Sequence, residues 1–478
     1  MSVRLCHETL ASARVETPTY DRAALGTGFV HVGPGAFHRA HQAAYFDAMC
    51  RDDPSWGVRW VLPHSDTLRE ALAPQDNLYT LATLDDAARY RVIGCVVGMA
   101  MMRDALDALC EPSVFAVTLT ITEKGYCLTP EGGLDFRHPE IAHDVRSPDQ
   151  PRTALGWLTA ALRRRRARSG GGLDIISCDN LAQNGKKLRE AVLALAREQN
   201  GSLAEWIEAE VAFPCSMVDS ITPATDDALR QRVAEAAGVA DAWPVQREAF
   251  SSWVVDNTAS PRVRTLEGVG VVFTDDVAAH EQAKLRLLNG AHSALAYIGL
   301  ARGVETVADA MRDETLATFI AEMMSAEIAP TLSAPVGLDL TRYQSEILAR
   351  FRNPAIAHHL AQIAWDGSQK LPIRIGASIA DNLEAGRPIA RLAAAIAAWM
   401  LFVAARAKAG ERVTDPQAEL LFELGREASG EAARDVPLFL EQTRIAAPSP
   451  ALCAAIEHGY RSLAQGQLPQ PRAQEAFA

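Results

Sequence analysis

A short apolar run near the amino terminus ends in two glycines that are one residue apart. The run covers residues 29–32, and it leads through Gly33-Pro-Gly35 into a helical pattern. A strand, a glycine turn and a helix in this order begin a dinucleotide-binding unit, because the glycines let a pyrophosphate approach the backbone and the helix start offers unpaired N–H groups. His38 occupies the place of the third glycine in Gly-x-Gly-x-x-Gly, so the motif alone also fits an ordinary tight turn.

The distribution of helical and extended patterns changes near residue 276. Before it, short β-rich runs alternate with helical ones, which is typical of an α/β sheet with helices on its faces. Residues 79–84 and 90–93 predict a hairpin added to the parallel sheet. After residue 276, Ala, Leu and Glu dominate and prolines separate helical segments. We therefore predict an α/β Rossmann-type domain over residues 1–275 and a mostly α-helical domain over residues 276–478.

Composition limits the partners of the chain. Of its 478 residues, 48% are hydrophobic and 22% are charged, which is typical of a soluble protein. The net charge of −12 disfavours nucleic acid and anionic membranes. Residues 1–19 contain charges but no apolar core of a signal peptide, and residues 392–405 are too short an apolar run to span a membrane. We expect a cytoplasmic protein with no nucleic-acid or membrane partner.

Metal ligands are sparse in the sequence. The eight cysteines form no Cys-x-x-Cys pair, and His38 and His41 have no Cys, Asp or Glu at ligand spacing. Unpaired cysteines fit a reducing compartment. The basic run at residues 163–168 follows an apolar helical stretch, and we interpret it as a solvated helix end. We expect no metal site.

The run Lys284-Leu-Arg-Leu-Leu-Asn289-Gly-Ala-His292 combines a potential base, an amide donor and an imidazole. On an α-helix with ~3.6 residues per turn, these three side chains share less than half of the circumference. Burial would lower the pKa of the lysine towards neutrality, as a proton-abstracting lysine requires. The run also fits a solvated helix face, because Lys and Arg on helices usually face water.

Seven blocks in this order resemble the long-chain mannitol dehydrogenase family, which includes polyol 2-dehydrogenases and fructuronate reductase (D-mannonate oxidoreductase). They are residues 33–41, 76–80, 119–126, 177–180, 213–219, 284–292 and 366–372. The resemblance implies an NAD-dependent, metal-independent dehydrogenase acting on a secondary alcohol.

The resemblance also implies catalytic roles. Lys284 would be the general base, and Asn289 and Asn180 would stabilise the oxyanion as fixed amide donors. His292 would orient the substrate, and Glu281 matches a glutamate associated with proton exchange to solvent. Because these residues occur on both sides of residue 276, we expect the active site in a cleft between the domains.

Cofactor contacts are expected from the glycine motif, from the residue after the second strand, and from the block ending Met-Val-Asp. The candidates are Gly33, Gly35, Phe37, Arg39, Asp66 and Asp219. Asp66 would hold the adenosine ribose of NAD, whereas Arg69 nearby would favour the 2′-phosphate of NADP. Asp219 is also a candidate substrate contact. NAD is favoured by the resemblance, and NADP is left open.

Lys370 and Arg374 are the candidate substrate cations. The 366–372 block and Gly-Ala-Phe in the turn are closer to fructuronate reductases, so a carboxylated sugar substrate is favoured. Mannitol 2-dehydrogenase or another polyol 2-dehydrogenase, acting on fructose/mannitol or arabinitol, is the alternative. Ser220 replaces the Arg that follows Met-Val-Asp in many mannitol enzymes. A nucleotide-binding sensor without catalysis is a further alternative, although every catalytic position is filled. Relatives of this length suggest a monomer.

Overall fold

The computed structural model describes residues 3–85, 87–168, 170–335, 337–356 and 358–469. The chain divides into two compact units, Met1–Ala278 and Ala279–Ala478. Helix Val277–Ala283 contains this division, close to the boundary that the sequence suggests at residue 276.

Strands occur only in the first unit of the described chain. They are β1 Thr27–Val32, β2 Gly57–Leu62, β3 Tyr79–Leu84, β4 Arg89–Ile93, β5 Val96–Met101, β6 Ala116–Leu119, β7 Asp174–Ser177, β8 Ser216–Asp219, β9 Val245–Glu248, β10 Ser252–Asp256 and β11 Val272–Thr274.

The helices of the first unit surround these strands. They are α1 Ala36–Ala40, α2 Gln42–Met49, α3 Thr67–Leu72, α4 Pro139–Arg146, α5 Ala154–Ala167, α6 Asn184–Gln199, α7 Gly201–Glu210, α8 Asp227–Ala237 and α9 Pro261–Arg264, with α10 Val277–Ala283 at the division.

The central sheet of the first unit has five parallel strands in the order β5-β2-β1-β6-β7. This is the doubly wound order, in which ligands bind beyond the carboxyl ends of the strands where the order reverses. All six residues of β1 are buried, because apolar layers cover both faces of the sheet. The predicted Rossmann-type unit is confirmed.

The predicted hairpin is confirmed, but its place in the parallel sheet is wrong. β3 and β4 pair in antiparallel fashion, with Leu81 opposite Arg91. The other edge of β3 pairs in parallel with β9, where Leu81 faces Val245, so these strands form a separate sheet in the order β4-β3-β9. A third sheet has the order β11-β10-β8.

The second unit consists of helices and loops in its described residues, apart from one isolated bridge between Thr306 and His359. Its α-helices are α11 Gly290–Ala301, α12 Val307–Ala310, α13 Glu314–Glu322, α14 Leu340–Arg352, α15 Leu360–Ile363, α16 Gly367–Leu371, α17 Ala377–Glu384, α18 Ala390–Lys408, α19 Ala418–Glu427, α20 Ala432–Thr443 and α21 Pro450–Ala464. The predicted helical domain is confirmed.

Helix α18 forms the centre of the second unit and packs on α11, α19 and α21. It is the one helix of the described chain that is long and apolar enough to cross a membrane, and 72% of its most apolar window is buried inside the unit. Its apolar composition is therefore accounted for by core packing.

The basic run at the end of α5 is only partly solvated. Arg165 is 5% exposed and donates hydrogen bonds to the carbonyls of Leu109 and Gly171, each at 2.7 Å. Arg164 and Arg168 both pair with Asp107. The interpretation of a solvated helix end is thus wrong for Arg165, because its guanidinium satisfies buried carbonyls.

Candidate active site

The glycine turn follows β1 directly. Gly33 has φ +84°, and a Cβ there would lie 2.3 Å from the Thr120 carbonyl oxygen, so only glycine fits. At Gly35 the nearest atom to an added Cβ is the Gly33 carbonyl oxygen, at 3.9 Å. Packing requires the first glycine but not the second. The open space at Gly35 fits the approach of a pyrophosphate to the backbone.

A groove of about 730 Å³ lies beyond the carboxyl ends of β1, β2 and β6. Its lining includes Gly33, Pro34, Gly35, Pro63, Ser65, Thr120, Lys124 and Arg152. Its place matches the point where the strand order reverses, and its volume is that of a cofactor pocket. The residues present therefore fit a dinucleotide.

The remaining candidates of the motif lie in different surroundings. Phe37 stacks on His41, with ring centroids 4.9 Å apart. Arg39 is 2% exposed, donates to the Trp243 carbonyl at 2.8 Å and lies against the Tyr79 ring. These contacts favour a packing role for Arg39 within the first unit.

Asp66 precedes α3 and follows Ser65, which lines the groove. Its carboxylate accepts a hydrogen bond from Arg69 Nε at 2.6 Å, and both side chains face solvent. Hydrogen bonding to Arg69 lowers the pKa of Asp66. Asp66, the candidate partner of a ribose hydroxyl, is thus hydrogen-bonded to Arg69, the candidate partner of a 2′-phosphate.

The His-x-x-His pair is used in packing. His38 is buried, accepts a hydrogen bond from Trp60 Nε1 at 2.9 Å and stacks on His31 at 3.3 Å. His41 donates from Nε2 to the Ser252 carbonyl at 3.0 Å. Among the described residues, no group of three His, Cys, Asp or Glu side chains is placed to hold a metal ion.

Asn180 and Asp219 lie at the carboxyl ends of two segments of the first unit, β7 and β8. Asn180 is exposed three positions after the end of β7, and Asp219 is the buried last residue of β8. The buried Asn184 side chain joins the two segments. It donates to the carbonyls of Ser177 and Ser216, at 3.1 and 2.8 Å, and accepts from the Ser216 N–H at 2.9 Å.

Asp179 anchors the loop that follows β6 to the loop that carries Asn180. Its carboxylate accepts hydrogen bonds from Ile121 N at 3.0 Å, Thr122 N at 2.8 Å and the Tyr126 hydroxyl at 2.8 Å. Burial raises the pKa of Asp179, and the backbone hydrogen bonds oppose this. Neither Asp179 nor Asn184 was predicted from the sequence to be a site residue. The signals were that Asp179 lies within the 177–180 block and that Asn184 lies four positions after Asn180.

Residues Lys284–Asn289 form a π-helix, between α10 and α11. The regular α-helical arc expected for this run is therefore wrong. The i→i+5 hydrogen bonds of a π-helix bring residues five apart towards the same face, which is the spacing of Lys284 and Asn289. Both side chains are half-buried, as is Glu281 in α10. Single π-helical turns frequently occur at functional sites.

His292 is held in α11 of the second unit and is 6% exposed. Its ring stacks on Phe351 with centroids 4.3 Å apart, and the His358 ring lies edge-on at 5.1 Å. Burial holds the pKa of His292 well below its usual value, and repulsion from Arg350, from Arg374 and from His358 in its protonated form adds to this. The imidazole is therefore neutral at physiological pH.

Lys370 and Arg374 lie on consecutive elements, α16 and another π-helix, Pro372–Gly376. Lys370 Nζ is 3.7 Å from Asp366, and Arg374 Nη1 donates to Ser293 Oγ at 3.1 Å. Burial and the neighbouring Arg374 lower the pKa of Lys370. Burial lowers the pKa of Arg374 to about 10. Within the described residues Arg374 forms no ion pair with a carboxylate, and its buried Nε has no acceptor.

The structure thus groups the candidates by unit. The glycine turn, the groove, Asn180 and Asp219 belong to the first unit. Lys284, Asn289, His292, Lys370 and Arg374 belong to the second, where the π-helix of Lys284 contacts that of Arg374.

Two family models match the chain. The mannitol dehydrogenase Rossmann domain matches residues 27–267, and the mannitol dehydrogenase C-terminal domain matches residues 276–464. D-mannonate oxidoreductase of Escherichia coli is 38% identical over 81% of this chain and 82% of the relative. Mannitol 2-dehydrogenase of Cereibacter sphaeroides is 40% identical over 78% of this chain and 80% of the relative.

A solved structure has the same fold. It is Pseudomonas fluorescens mannitol 2-dehydrogenase in a ternary complex with NAD and D-mannitol, with a TM-score of 0.82, 36% identity and 97% of each chain covered. The two domain matches together span most of the chain. The chain belongs to the mannitol dehydrogenase family.

Proposed function

We propose that this chain interconverts a keto sugar acid and its alcohol, with D-fructuronate and D-mannonate as the first candidates. It is an NAD-dependent oxidoreductase of the mannitol dehydrogenase family, acting on secondary alcohols. NAD supplies or accepts the hydride when it is bound, and the protein supplies position and electrostatics.

Arg374 is the observation that carries the choice of substrate. Its guanidinium is largely buried, yet among the described residues it bonds only to the Ser293 hydroxyl. A buried charge without a counter-ion is costly, and a bidentate carboxylate is the partner that a guanidinium matches best. A substrate carboxylate would supply that partner, whereas the hydroxyls of a polyol would leave the guanidinium without a paired carboxylate.

The surroundings of Arg374 reinforce this preference. Arg374 is close enough to Lys370 to disfavour the positive charge of the lysine, and it disfavours a positive charge on His292 in the same way. Asp366 and Asp415 oppose this positive potential at Lys370, and Asp366 also opposes it at Arg374. A positive potential in a partly buried site favours an anionic substrate over a neutral one.

The proposed proton chemistry uses the π-helical segment. Lys284 takes the proton from the reacting hydroxyl during oxidation and returns it to the oxygen during reduction. Asn289 and Asn180 donate hydrogen bonds to the oxyanion without titrating themselves. Glu281, one turn before Lys284, exchanges the proton with solvent. Neutral His292 orients a substrate hydroxyl, and its stacking on Phe351 supports a fixed ring plane.

Metal independence, a cytoplasmic location and a monomeric state are parts of the same proposal. The lysine and two amides would do the work that zinc does in other dehydrogenases. The free cysteines support a reducing compartment. Dialysis against a chelator should leave activity intact, whereas a loss that zinc restores would contradict the metal-free mechanism. Size-exclusion chromatography with light scattering tests the monomer.

A mannitol-type activity is the second candidate. The relative from Cereibacter sphaeroides and the solved ternary complex are both named mannitol 2-dehydrogenase. In that case Lys370 and Arg374 would bind hydroxyls.

The two candidates are separated by NADH oxidation with D-fructuronate and D-fructose assayed side by side on the purified protein. We expect kcat/KM to be at least tenfold higher for D-fructuronate. A preference for D-fructose would establish the mannitol-type activity instead. Activity on neither would contradict both and direct the search to other ketoses, such as xylulose or tagaturonate.

A further inference from the structure

A chain of hydrogen bonds lies beneath the glycine turn and is buried except at its half-buried end, Thr120. His31 is fully buried on β1, and its Nδ1 is 2.8 Å from Thr118 Oγ1 on β6. Its Nε2 is 3.0 Å from Thr120 Oγ1, and the Thr120 hydroxyl donates to the Gly33 carbonyl at 2.6 Å. The chain therefore runs from the middle of the sheet to the turn of the dinucleotide groove.

One assignment of hydrogens satisfies every link. Thr120 has a single hydroxyl hydrogen, which it donates to Gly33, so it accepts from His31 Nε2–H. The Nδ1 of His31 is then unprotonated and accepts from the Thr118 hydroxyl. Burial lowers the pKa of His31 to about 3, against an opposing effect of the Gly33 carbonyl, so the ring is neutral at physiological pH. The direction of the chain is thus fixed.

The His31 ring at the centre of this chain also stacks on a ring of the helix that follows the glycine turn. The His38 ring of α1 stacks on it, with centroids 3.3 Å apart and planes inclined by 13°. His38 accepts from Trp60 on β2. The imidazole of His31 therefore cannot rotate without disturbing two neighbouring strands and the helix that follows the glycines.

The end of the chain is the carbonyl that shapes the turn. Gly33 donates its N–H to the Val61 carbonyl at 3.0 Å, and its own carbonyl accepts from Gly35 N at 2.7 Å as well as from Thr120. This carbonyl therefore links Gly33, where packing requires a glycine, to Gly35, where there is space for a ligand beside the backbone. Loss of the Thr120 hydroxyl would remove one of the two hydrogen bonds that hold this carbonyl in place.

We propose that Thr120 is a positioning residue for the cofactor: the Thr118–His31–Thr120 chain holds the Gly33 carbonyl and thereby presets the turn that receives the dinucleotide. It sets affinity for NADH and leaves the chemical step unchanged. This inference rests on the NAD dependence of the proposed function and not on the identity of its substrate.

The test compares Thr120→Val, which keeps the shape and removes the hydroxyl, with Thr120→Ser, which keeps the hydroxyl. NADH dissociation constants are measured by fluorescence on the full-length protein, with kcat at saturating NADH. We expect Thr120→Val to raise the dissociation constant about 3- to 10-fold, as the loss of one hydrogen bond predicts, and to change kcat less than twofold. Thr120→Ser should bind NADH within about twofold of the parent.

Thr159→Val is the matched control, since the hydroxyl of Thr159, a buried threonine in α5, also donates to a carbonyl, that of Leu155. It should leave NADH affinity unchanged. Equal effects of Val and Ser at position 120, or unchanged affinity in Thr120→Val, would overturn the inference. If Thr120→Val does not fold, Thr118→Val decides: an increase of at least threefold supports the chain, and no increase overturns it. Absence of NADH binding in the parent would instead refute the NAD dependence.

Discussion

A Cβ atom added to Gly290 would lie 2.9 Å from the carbonyl oxygen of Arg374. Gly290 directly follows the π-helix that carries Lys284 and Asn289, and Arg374 lies within the π-helix Pro372–Gly376. The two widened helical segments therefore approach backbone to backbone. This contact links the proposed proton-transfer residues to the proposed carboxylate-binding residue.

Gly290→Ala should disturb both functions at once. The added methyl must push the Arg374 carbonyl away, and overpacking of this kind costs about 1–3 kcal/mol. We expect a lower Tm and a loss of kcat of at least tenfold. Gly268→Ala is the control, because nothing lies within 4 Å of a Cβ there. Equal activity in the two variants would show that the close approach has no functional importance.

Replacement of Lys284 should separate chemistry from binding. Lys284→Ala removes the proposed base, so the rate of hydride transfer should fall by several orders of magnitude while NADH still binds. Asn289→Ala should lower turnover by about 10²–10³, the loss typical of one oxyanion donor. Single-turnover kinetics and NADH titration measure the two quantities. An unchanged rate in Lys284→Ala would remove lysine as the base.

Asp179 should matter for the stability of the groove. Asp179→Ala leaves three hydrogen-bond donors without their acceptor, those of Ile121, Thr122 and Tyr126. Thr122 is exposed and the Tyr126 hydroxyl keeps Ser177 Oγ as a partner, so the loss falls mainly on the Ile121 N–H. A buried donor left unsatisfied costs about 1–3 kcal/mol, so we expect a clear loss in urea-induced unfolding and weaker NADH binding. Asp179→Asn keeps one acceptor oxygen and should lose less. The control is Asp149→Ala at an exposed pair with Arg163. A result for Asp179→Ala within 0.5 kcal/mol of that control would contradict the anchoring role, since ~0.5 kcal/mol bounds ordinary surface substitutions.

Buried histidines predict a pH dependence of stability. The pKa is lowered by burial in His31, His38, His292 and His358, to about 3 for His31 and about 4 for His358. Below the unfolded pKa of about 6.5 the unfolded chain binds protons that the folded chain does not. These histidines therefore contribute stability above pH ~6.5, and this contribution is lost progressively as the pH falls below that value.

The variant His292→Asn isolates one of these groups. Each such histidine contributes up to about 1.4 kcal/mol per pH unit below pH ~6.5. The difference in unfolding free energy between parent and variant should therefore shift in favour of the variant from pH 7 to pH 5. Comparing the two proteins cancels the opposite effect of buried carboxyls with raised pKa, such as Asp47 and Asp241. A constant difference would mean that His292 binds its proton equally well in the folded and unfolded states, and it would contradict the lowered pKa.

The fold was predictable where local pattern decides it. The buried run of β1 and the positive φ of Gly33 leave a sequence signature that needs no distant contact. The helical unit likewise follows from its composition. The pairing of β3 with β9 was not predictable, because a four-residue strand over 160 positions away in the chain supplies the partner edge.

The contacts of individual side chains were less predictable from the sequence than the helices and strands were. Lys284–Asn289 shows helical periodicity in either α or π form, and the structure packs this segment against residues 372–376. Arg39 is part of a motif that suggests phosphate contact, yet the Trp243 carbonyl and two aromatic rings hold it. Such placements depend on tertiary neighbours that no local window contains.

The most direct test of the proposed substrate is the ratio of kcat/KM for D-fructuronate to that for D-fructose in the parent and in Arg374→Gln. We predict a ratio of at least ten in the parent that falls by about 30-fold or more in the variant, because removing one partner of a buried charge pair costs about 2–5 kcal/mol. Arg342→Gln, at an exposed arginine of α14, is the control and should leave the ratio unchanged. A parent ratio below one, or an equal loss on both substrates in Arg374→Gln, would contradict the assignment of Arg374 to a substrate carboxylate.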